Sequence, residues 1–287
     1  MNTRLIFTTA ALPAAQARAI VAVMCRNQTS TFERTRQRMQ KRFKSQLVRV
    51  LNFAKHETLR KAHRYLHSHR AIVGQDQPED QPQQHPGTVK IAFNLDELRQ
   101  DLGTLLSGEA PLALDTAAGD TLTTVGYRDP WKLPAQATLD FISRRRNLLS
   151  NVPDEIFQRI KDVISEGLNA GDSISQLSDR ITQAFDEIEQ GRAEVIAENE
   201  TAAAYSFASN QAARAAGIQY KKWLHGNSKV PRPDHLAIDG LVVPFDEPYP
   251  VGNPPLMYPH DENGSPDDVI NCSCISGAAT KAEYEAQ

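Results

Sequence analysis

The chain has 287 residues, enough for one or two domains with a hydrophobic core. With 40% hydrophobic and 23% charged residues it has the composition of a soluble globular protein, and no run reaches the ~20 apolar residues of a membrane-spanning helix. The net charge of −3 conceals an asymmetry: residues 1–74 hold fifteen Lys/Arg against two acids, Glu33 and Glu57, a balance of +13, whereas the remainder holds seventeen against thirty-three, a balance of −16.

Residues 5–11 loosely imitate the apolar stretch of a secretory signal, but Pro13, Gln16 and Arg18 break the pattern. Residues 12–26 read as a short helix with Pro13 in its first turn. A stronger helical pattern covers 30–68. Phe32, Met39, Phe43, Leu47 and Val50/Leu51 recur at spacings of three, four and seven and form one apolar stripe, read as core. Arg34, Arg38, Lys41, Arg42, Lys44 and Arg49 occupy much of the remaining surface. Residues 1–73 are therefore expected to form a basic helical arm. Its six named cations are candidate contacts to nucleic-acid phosphates or to an acidic protein face. The plainer alternative is a solvated face, or one docked on the chain's own acidic part.

Residues 74–89, rich in Gln, Pro and Asp, read as a flexible linker in which His85 is solvated. A helical domain is expected over 90–217. Its first helix covers 90–106, with Asn94 as N-cap and Glu97 three residues on. Residues 108–126, which include Gly108, Pro111, Gly119 and Gly126, read as irregular. Helices follow at 134–149, from Pro153 to a stop at Gly171, and from Ser173, whose partner Gln176 makes a capping box. Gly191 separates these from an alanine-rich helix at 192–216, ended by Gly217. A small loop-rich module is expected over 218–287, with strands at 218–224 and 241–245, a helical turn at 233–239 closed by Gly240, and loop over 246–269. No internal repeat appears at a period of 20–50 residues. The fold class is α+β, mostly helical, with the α+β module at the C-terminal end.

The residues with special chemistry collect in that module. Two of the three cysteines lie one residue apart, at Cys272 and Cys274. An odd count with this spacing makes no disulfide framework and fits a reducing compartment, with thiols free or on a metal. Two thiolates and an imidazole are a natural set for Zn²⁺, and His235, in a proline-bounded loop, is the favoured third ligand. Asp239, His225, Asp234 and His260 compete for a fourth place. A lone Cys-x-Cys is a weak metal signal, and spacing alone favours two half-buried thiols with no metal. A Cys–His nucleophile pair oriented by Asp239, or a metal-dependent nuclease using His235, Asp234 and Asp239, are further readings. Arg232, held between two prolines, is expected to pair with Asp234 or Asp239, and Trp223 to be core. No Walker-type loop, dinucleotide-binding glycine pattern or Gly-x-Ser-x-Gly elbow is present.

Several elements follow one another in a recognisable order. The segment Arg192-Ala193-Glu194-Val195-Ile196-Ala197-Glu198-Asn199-Glu200-Thr201 opens a helix that ends in Gly217. Then come Lys221-Lys222-Trp223, Arg232-Pro233-Asp234-His235 with Asp239-Gly240, Phe245, Tyr258-Pro259, and Asn271-Cys272-Ser273-Cys274. Over 140–278 this order resembles the phage Mu F-like minor head protein family, also called the phage head morphogenesis family. Ser273 stands where that family often has Arg, which weakens an anion-binding role there. Asn199 stands where it often has Thr.

The resemblance implies a virion structural protein of a tailed double-stranded DNA phage, a minor head component that acts in head morphogenesis near the portal. Its place would be the virion head, after assembly in the host cytoplasm. Its partners would be portal and major head proteins and, through the basic arm, packaged DNA. No membrane, no small-molecule substrate and no enzymatic activity are expected. The resemblance also weighs toward a structural zinc on His235, Cys272 and Cys274; it does not fix the fourth ligand, for which Asp239 is the candidate taken. Related modules occur fused to toxin domains, so a toxin-like enzyme built on His235, Cys272 and Cys274 is one alternative. Thirteen residues follow Cys274, which favours the structural reading. A sequence-nonspecific DNA-binding protein acting through the basic arm is another alternative.

Overall fold

The computed structural model describes residues 14–68, 88–127, 131–226 and 230–287, with side chains of the first helix from residue 33 onward. The expected signal-like stretch at 5–11 lies outside these residues. So does the expected linker, apart from Thr88 and Val89. The fold is α+β and mostly helical. In order the elements are α1 (Ala14–Ser68), α2 (Thr88–Ile91), α3 (Leu95–Thr124), α4 (Ala135–Leu148), α5 (Val152–Asn169), α6 (Ile174–Glu187), a π turn (Ile188–Arg192), α7 (Ala193–Ala215), β1 (Tyr220–Leu224), α8 (Pro233–Ala237), β2 (Val242–Pro244), α9 (Pro266–Val269), β3 (Ile275–Ala279) and α10 (Lys281–Tyr284). They form two compact units. One holds Arg42–Ser107 and Arg146–Ala197; the other holds Gly108–Arg145, Glu198–Gln287 and the described residues up to Lys41.

The first of these units is a helical bundle. On α1, Phe43, Leu47, Leu51, Ala54, Thr58, Ala62 and Leu66 are buried, spaced three or four apart as a helix that hides one face requires. On α5 the buried positions are Ile156, Ile160, Ile164 and Leu168; on α6 they are Leu177, Ile181, Ala184 and Phe185. Phe93 meets Phe157 edge-on, with centroids 5.4 Å apart. Gly171, at φ 72°, ends α5 as expected. Ser173 and Gln176 form the expected reciprocal capping box on α6. Asn94 Oδ1 accepts from the backbone N–H groups of Asp96 and Glu97 at the start of α3. Gly191 does not break the helical run. It lies in the π turn, where the chain accommodates it without leaving the helical path.

The second unit is built around α7. From Asn199 to Asn210 every residue is buried, so this stretch of the helix has no solvent face. Small side chains make that possible, because Ala202, Ala203, Ala204 and Ala208 let neighbours approach closely. The expected irregular segment at 108–126 is instead helical, since α3 continues to Thr124 with Pro111 inside it. Ala110, Ala113, Leu114, Ala117, Thr121 and Leu122 recur every three or four residues and are all buried. Their burial outweighs the helix cost of one Pro and two Gly, roughly 3 and 1 kcal/mol per residue. The sheet has the order β2-β1-β3, antiparallel throughout, with Lys221 opposite Val243 and Ala278 and Trp223 opposite Ser276. Gly217 (φ 75°) ends α7 as expected, and β1 and β2 fall where strands were expected.

Two charged groups lie in the interior of this unit. Arg145 grips Glu200 in a two-pronged pair, Nε to Oε2 at 2.9 Å and Nη2 to Oε1 at 2.5 Å. Lys221, 1% exposed, donates from Nζ to the Met257 carbonyl at 2.7 Å and lies over the Phe245 and Tyr249 rings. Burial, with Arg214 nearby, pulls its ammonium down to about 8.

Breaking the first group should be costly. Glu200→Gln is expected to lower the unfolding free energy by about 3 kcal/mol, because it leaves Arg145 without its counter-charge. The double replacement Arg145→Met/Glu200→Leu should cost less than that single one in urea titrations. An equal or larger cost would show that the pair itself stabilises the fold. The second group sets a pH dependence. The folded state releases the Lys221 proton near pH 8, and the unfolded chain does so near 10.5. Between these values the unfolded state holds more protons, so stability rises with pH. Burial of Tyr249 raises its phenol above its ordinary value of 10.0, which opposes the trend above pH 10. The parent should therefore gain stability relative to Lys221→Met between pH 7.5 and 9.5, measured by urea midpoints.

Candidate metal centre

Three sequence-distant groups meet beneath β1. Pro233 and Asp234 start the short helix α8, which carries His235 into the interior, where it is 1% exposed. Cys272 and Cys274, both buried and free, lie just before β3. His235 Nδ1 is 3.6 Å from Cys272 Sγ and 3.7 Å from Cys274 Sγ. The three ligand atoms all lie within 4.8 Å of one another. A tetrahedral zinc with metal–sulfur bonds of about 2.3 Å and metal–nitrogen bonds of about 2.0 Å places sulfur and nitrogen about 3.5 Å apart. The observed separations match that span, so the donor set fits a metal in both chemistry and spacing.

The surroundings hold this geometry. Trp223, fully buried, presents its ring edge-on to His235 at 5.2 Å and to Tyr249 at 5.0 Å. Tyr249, Val251, Leu256 and Val269 complete an apolar cluster that includes both cysteines. Arg232 makes none of the ion pairs expected of it. It donates from Nε to the Asp267 carbonyl and from Nη2 to the Ile270 carbonyl, at 2.7 and 2.6 Å. Its rigid fork thereby ties the loop before α8 to the chain just ahead of Cys272. Gly226 passes so close to Ser273 that a Cβ there would lie 1.9 Å from the Ser273 carbonyl oxygen. Only glycine permits that crossing.

The two thiols are unequal. Cys274 is drawn down to about 5 by the hydrogen bond from Cys272, helped by His235 and the Gly226 N–H and opposed by burial. Cys272, which donates that bond and is itself buried, is pushed up. One sulfur is thus ready as a thiolate, the form that binds metal. His235 Nε2 is buried without a hydrogen-bond partner. The carboxylates of Asp234 and Asp268 approach a His235 ring nitrogen within 4.8 Å.

The residues considered for a fourth ligand have other tasks. Asp239 is exposed, and its Oδ1 accepts from the His225 N–H at 2.7 Å. Asp234 Oδ1 accepts from the His235 N–H at 3.0 Å. His260 is buried at φ 62°, beside the backbone of Cys272 and Val269, and its Nε2 has no hydrogen-bond partner. Burial, with Arg145 and Arg36 nearby, pulls it down to about 3. Among the described residues, no fourth His, Cys, Asp or Glu joins His235, Cys272 and Cys274.

Two supporting roles were not read from the sequence, where Asn199 figured only as a departure from the family's residue and His260 only as a candidate ligand. Asn199, on the buried face of α7, accepts from the Asn271 N–H at 2.8 Å, which anchors the residue before Cys272 in a left-handed turn at φ 57°. His260 supports the same segment from the other side. Neither position carries a local pattern that would announce such a role.

The predicted cations of α1 divide. Arg34, Arg38, Lys41, Arg42 and Arg49 are exposed. Lys44 is half-buried and pairs with Glu194 at 2.6 Å. Arg36, which the sequence reading passed over, pairs with Glu33 and Glu198. Among the described residues, no helix is long and apolar enough to cross a membrane.

Comparison with known proteins agrees with the ordered residues. The chain is 23% identical over 224 residues to a Bacillus subtilis (strain 168) protein described as "Uncharacterized protein YqbB", covering 76% of this chain and 73% of that one. No solved structure matches. The family described as "Phage Mu protein F like protein" matches residues 158–276, and so takes in α6, α7, β1, β2 and all three candidate ligands. From the middle of α5 into β3, then, the chain matches the phage Mu protein F-like family, a match that suggests a phage head-related module.

Proposed function

We propose that the protein is a minor structural component of a tailed-phage head, that it acts in head morphogenesis beside the portal, and that it meets packaged DNA through α1. The match over residues 158–276 carries this reading. The proposed partners are the portal and the major head proteins, within the virion and, during assembly, in the host cytoplasm. The exposed arginines and lysine of α1 supply a salt-sensitive, sequence-blind attraction to phosphates.

In this reading the His235, Cys272 and Cys274 group binds a structural zinc and turns over no substrate. Exposures of 1%, 4% and 2% for the three residues support this reading. Zinc there would pin α8 to the chain ahead of β3, closing a loop of nearly forty residues. Purified protein should then contain about one equivalent of zinc, and the Cys272→Ser/Cys274→Ser variant should lose it together with several degrees of Tm. Metal-free protein with the melting point of the loaded form would sink the zinc assignment.

The structural role is tested separately. The chain should co-purify with heads or head–portal assemblies and should show no divalent-metal-dependent nuclease activity. Cleavage of DNA that disappears in His235→Ala would overturn the assignment in favour of an enzyme. The variant Arg38→Gln/Lys41→Gln/Arg49→Gln, which spares the buried face of α1, should weaken DNA binding and leave incorporation into heads intact if the arm has a binding role of its own.

A further inference from the structure

The two sulfurs that flank Ser273 are each other's neighbours. Cys272 and Cys274 are free thiols whose Sγ atoms lie within 4.8 Å of one another and share a hydrogen bond. A disulfide requires Cα atoms about 4.4–6.8 Å apart, and two residues of chain span at most about 7 Å when fully extended, so this spacing reaches the range with little adjustment. The chain on either side is fixed. Asn199 holds the Asn271 N–H, Arg232 holds the Ile270 carbonyl, and β3 begins at Ile275.

Burial decides which partner each sulfur finds. At 4% and 2% exposure the sulfurs of the folded chain meet each other and not the thiol of a second molecule. Hydrogen peroxide is little larger than water and reaches them on local opening of residues 271–274, short of unfolding. One sulfur, as thiolate, attacks a peroxide oxygen. The O–O bond breaks, hydroxide leaves and a sulfenic acid forms. The second sulfur attacks the first, so that an S–S bond forms, the S–O bond breaks and a second hydroxide leaves. The two thiol protons complete two waters, and the sulfurs have given two electrons to the peroxide. His235 Nδ1, 3.6 and 3.7 Å from the two sulfurs, stands in reach of both to pass the proton of the second thiol to the leaving oxygen.

We propose that Cys272 and Cys274 form a redox switch: a peroxide joins them in a disulfide, which takes both sulfurs from the metal and releases it, so that the clasp between α8 and β3 opens. The release step rests on the zinc reading above; the disulfide does not. The metal-loaded clasp belongs to a reducing medium and the disulfide to an oxidising one.

Peptide mass mapping of the full chain carrying Cys25→Ser tests it, after peroxide treatment and denaturation in iodoacetamide. The proteolytic peptide that spans both cysteines should be about 2 Da lighter than its reduced form and carry no alkyl group, and dithiothreitol should restore alkylation at both positions. Zinc, followed with a chromogenic chelator, should leave in step with the disulfide. Cys274→Ser should abolish the 2 Da loss, and peroxide should then drive Cys272 on to sulfinic acid. Full alkylation after peroxide, sulfinic acid in the protein that keeps both thiols, or disulfide-linked dimers would overturn the proposal. Zinc that stays bound while the disulfide forms would overturn the release step. A disulfide formed from reduced protein that holds no zinc would leave the thiol switch standing and overturn the zinc reading instead.

Discussion

A helix with no solvent face must find partners for every polar side chain it carries. Between Asn199 and Asn210, α7 does this for Asn199, Glu200 and Ser209 with groups from other elements of its unit, while Ser206 Oγ is buried without a partner. Glu200 is answered by Arg145, and Asn199 by the backbone of Asn271. The second contact matters most for the metal centre. It fixes the residue ahead of Cys272 in a left-handed turn, and from there the chain can aim two sulfurs, two residues apart, at one imidazole. The core helix and the Cys/His group are thus one construction, with amide and carboxylate hydrogen bonds transmitting the order of the core to the sulfurs.

The electrostatics of that group follow from its burial. Two thiols in an apolar cluster beside Trp223 do not each ionise as they would in water. Sharing one proton between the sulfurs leaves Cys274 as the thiolate and Cys272 as its donor. The Gly226 N–H then serves Cys274 as a second donor, which explains why the backbone at 226 comes so near to Ser273. The arrangement offers a thiolate and an imidazole nitrogen within the span of a single cation.

Much of this was legible in the sequence wherever local chemistry decides local structure. Ser173 with Gln176, Gly171 and Gly217 mark helix ends through backbone hydrogen bonds that their own side chains or backbone freedom supply. The grouping of His235 with the two cysteines could be read because few other residue types suit that chemistry. What stayed hidden depends on distant partners. Residues 108–124 look irregular by their Gly and Pro, yet burial of every third or fourth side chain keeps them helical. β3, Ile-Ser-Gly-Ala-Ala, lacks the branched and aromatic residues of a typical strand and is held by pairing with β1. Arg232 looked like half of an ion pair, and instead it binds two carbonyls that only the folded chain brings together.

Lys221 gives the second unit a reporter of its own breathing. Its amine loses its proton near pH 8 and so is chemically ready for acylation in mild buffers, but at 1% exposure no reagent reaches it while β1 remains in the sheet. The rate at which it is labelled therefore measures how often that sheet opens. The sulfurs of Cys272 and Cys274, equally sealed, measure the same for the neighbouring loop with a thiol reagent. Two labels thus separate local opening of the strand from release of the Cys/His group, a distinction that a single melting curve averages away.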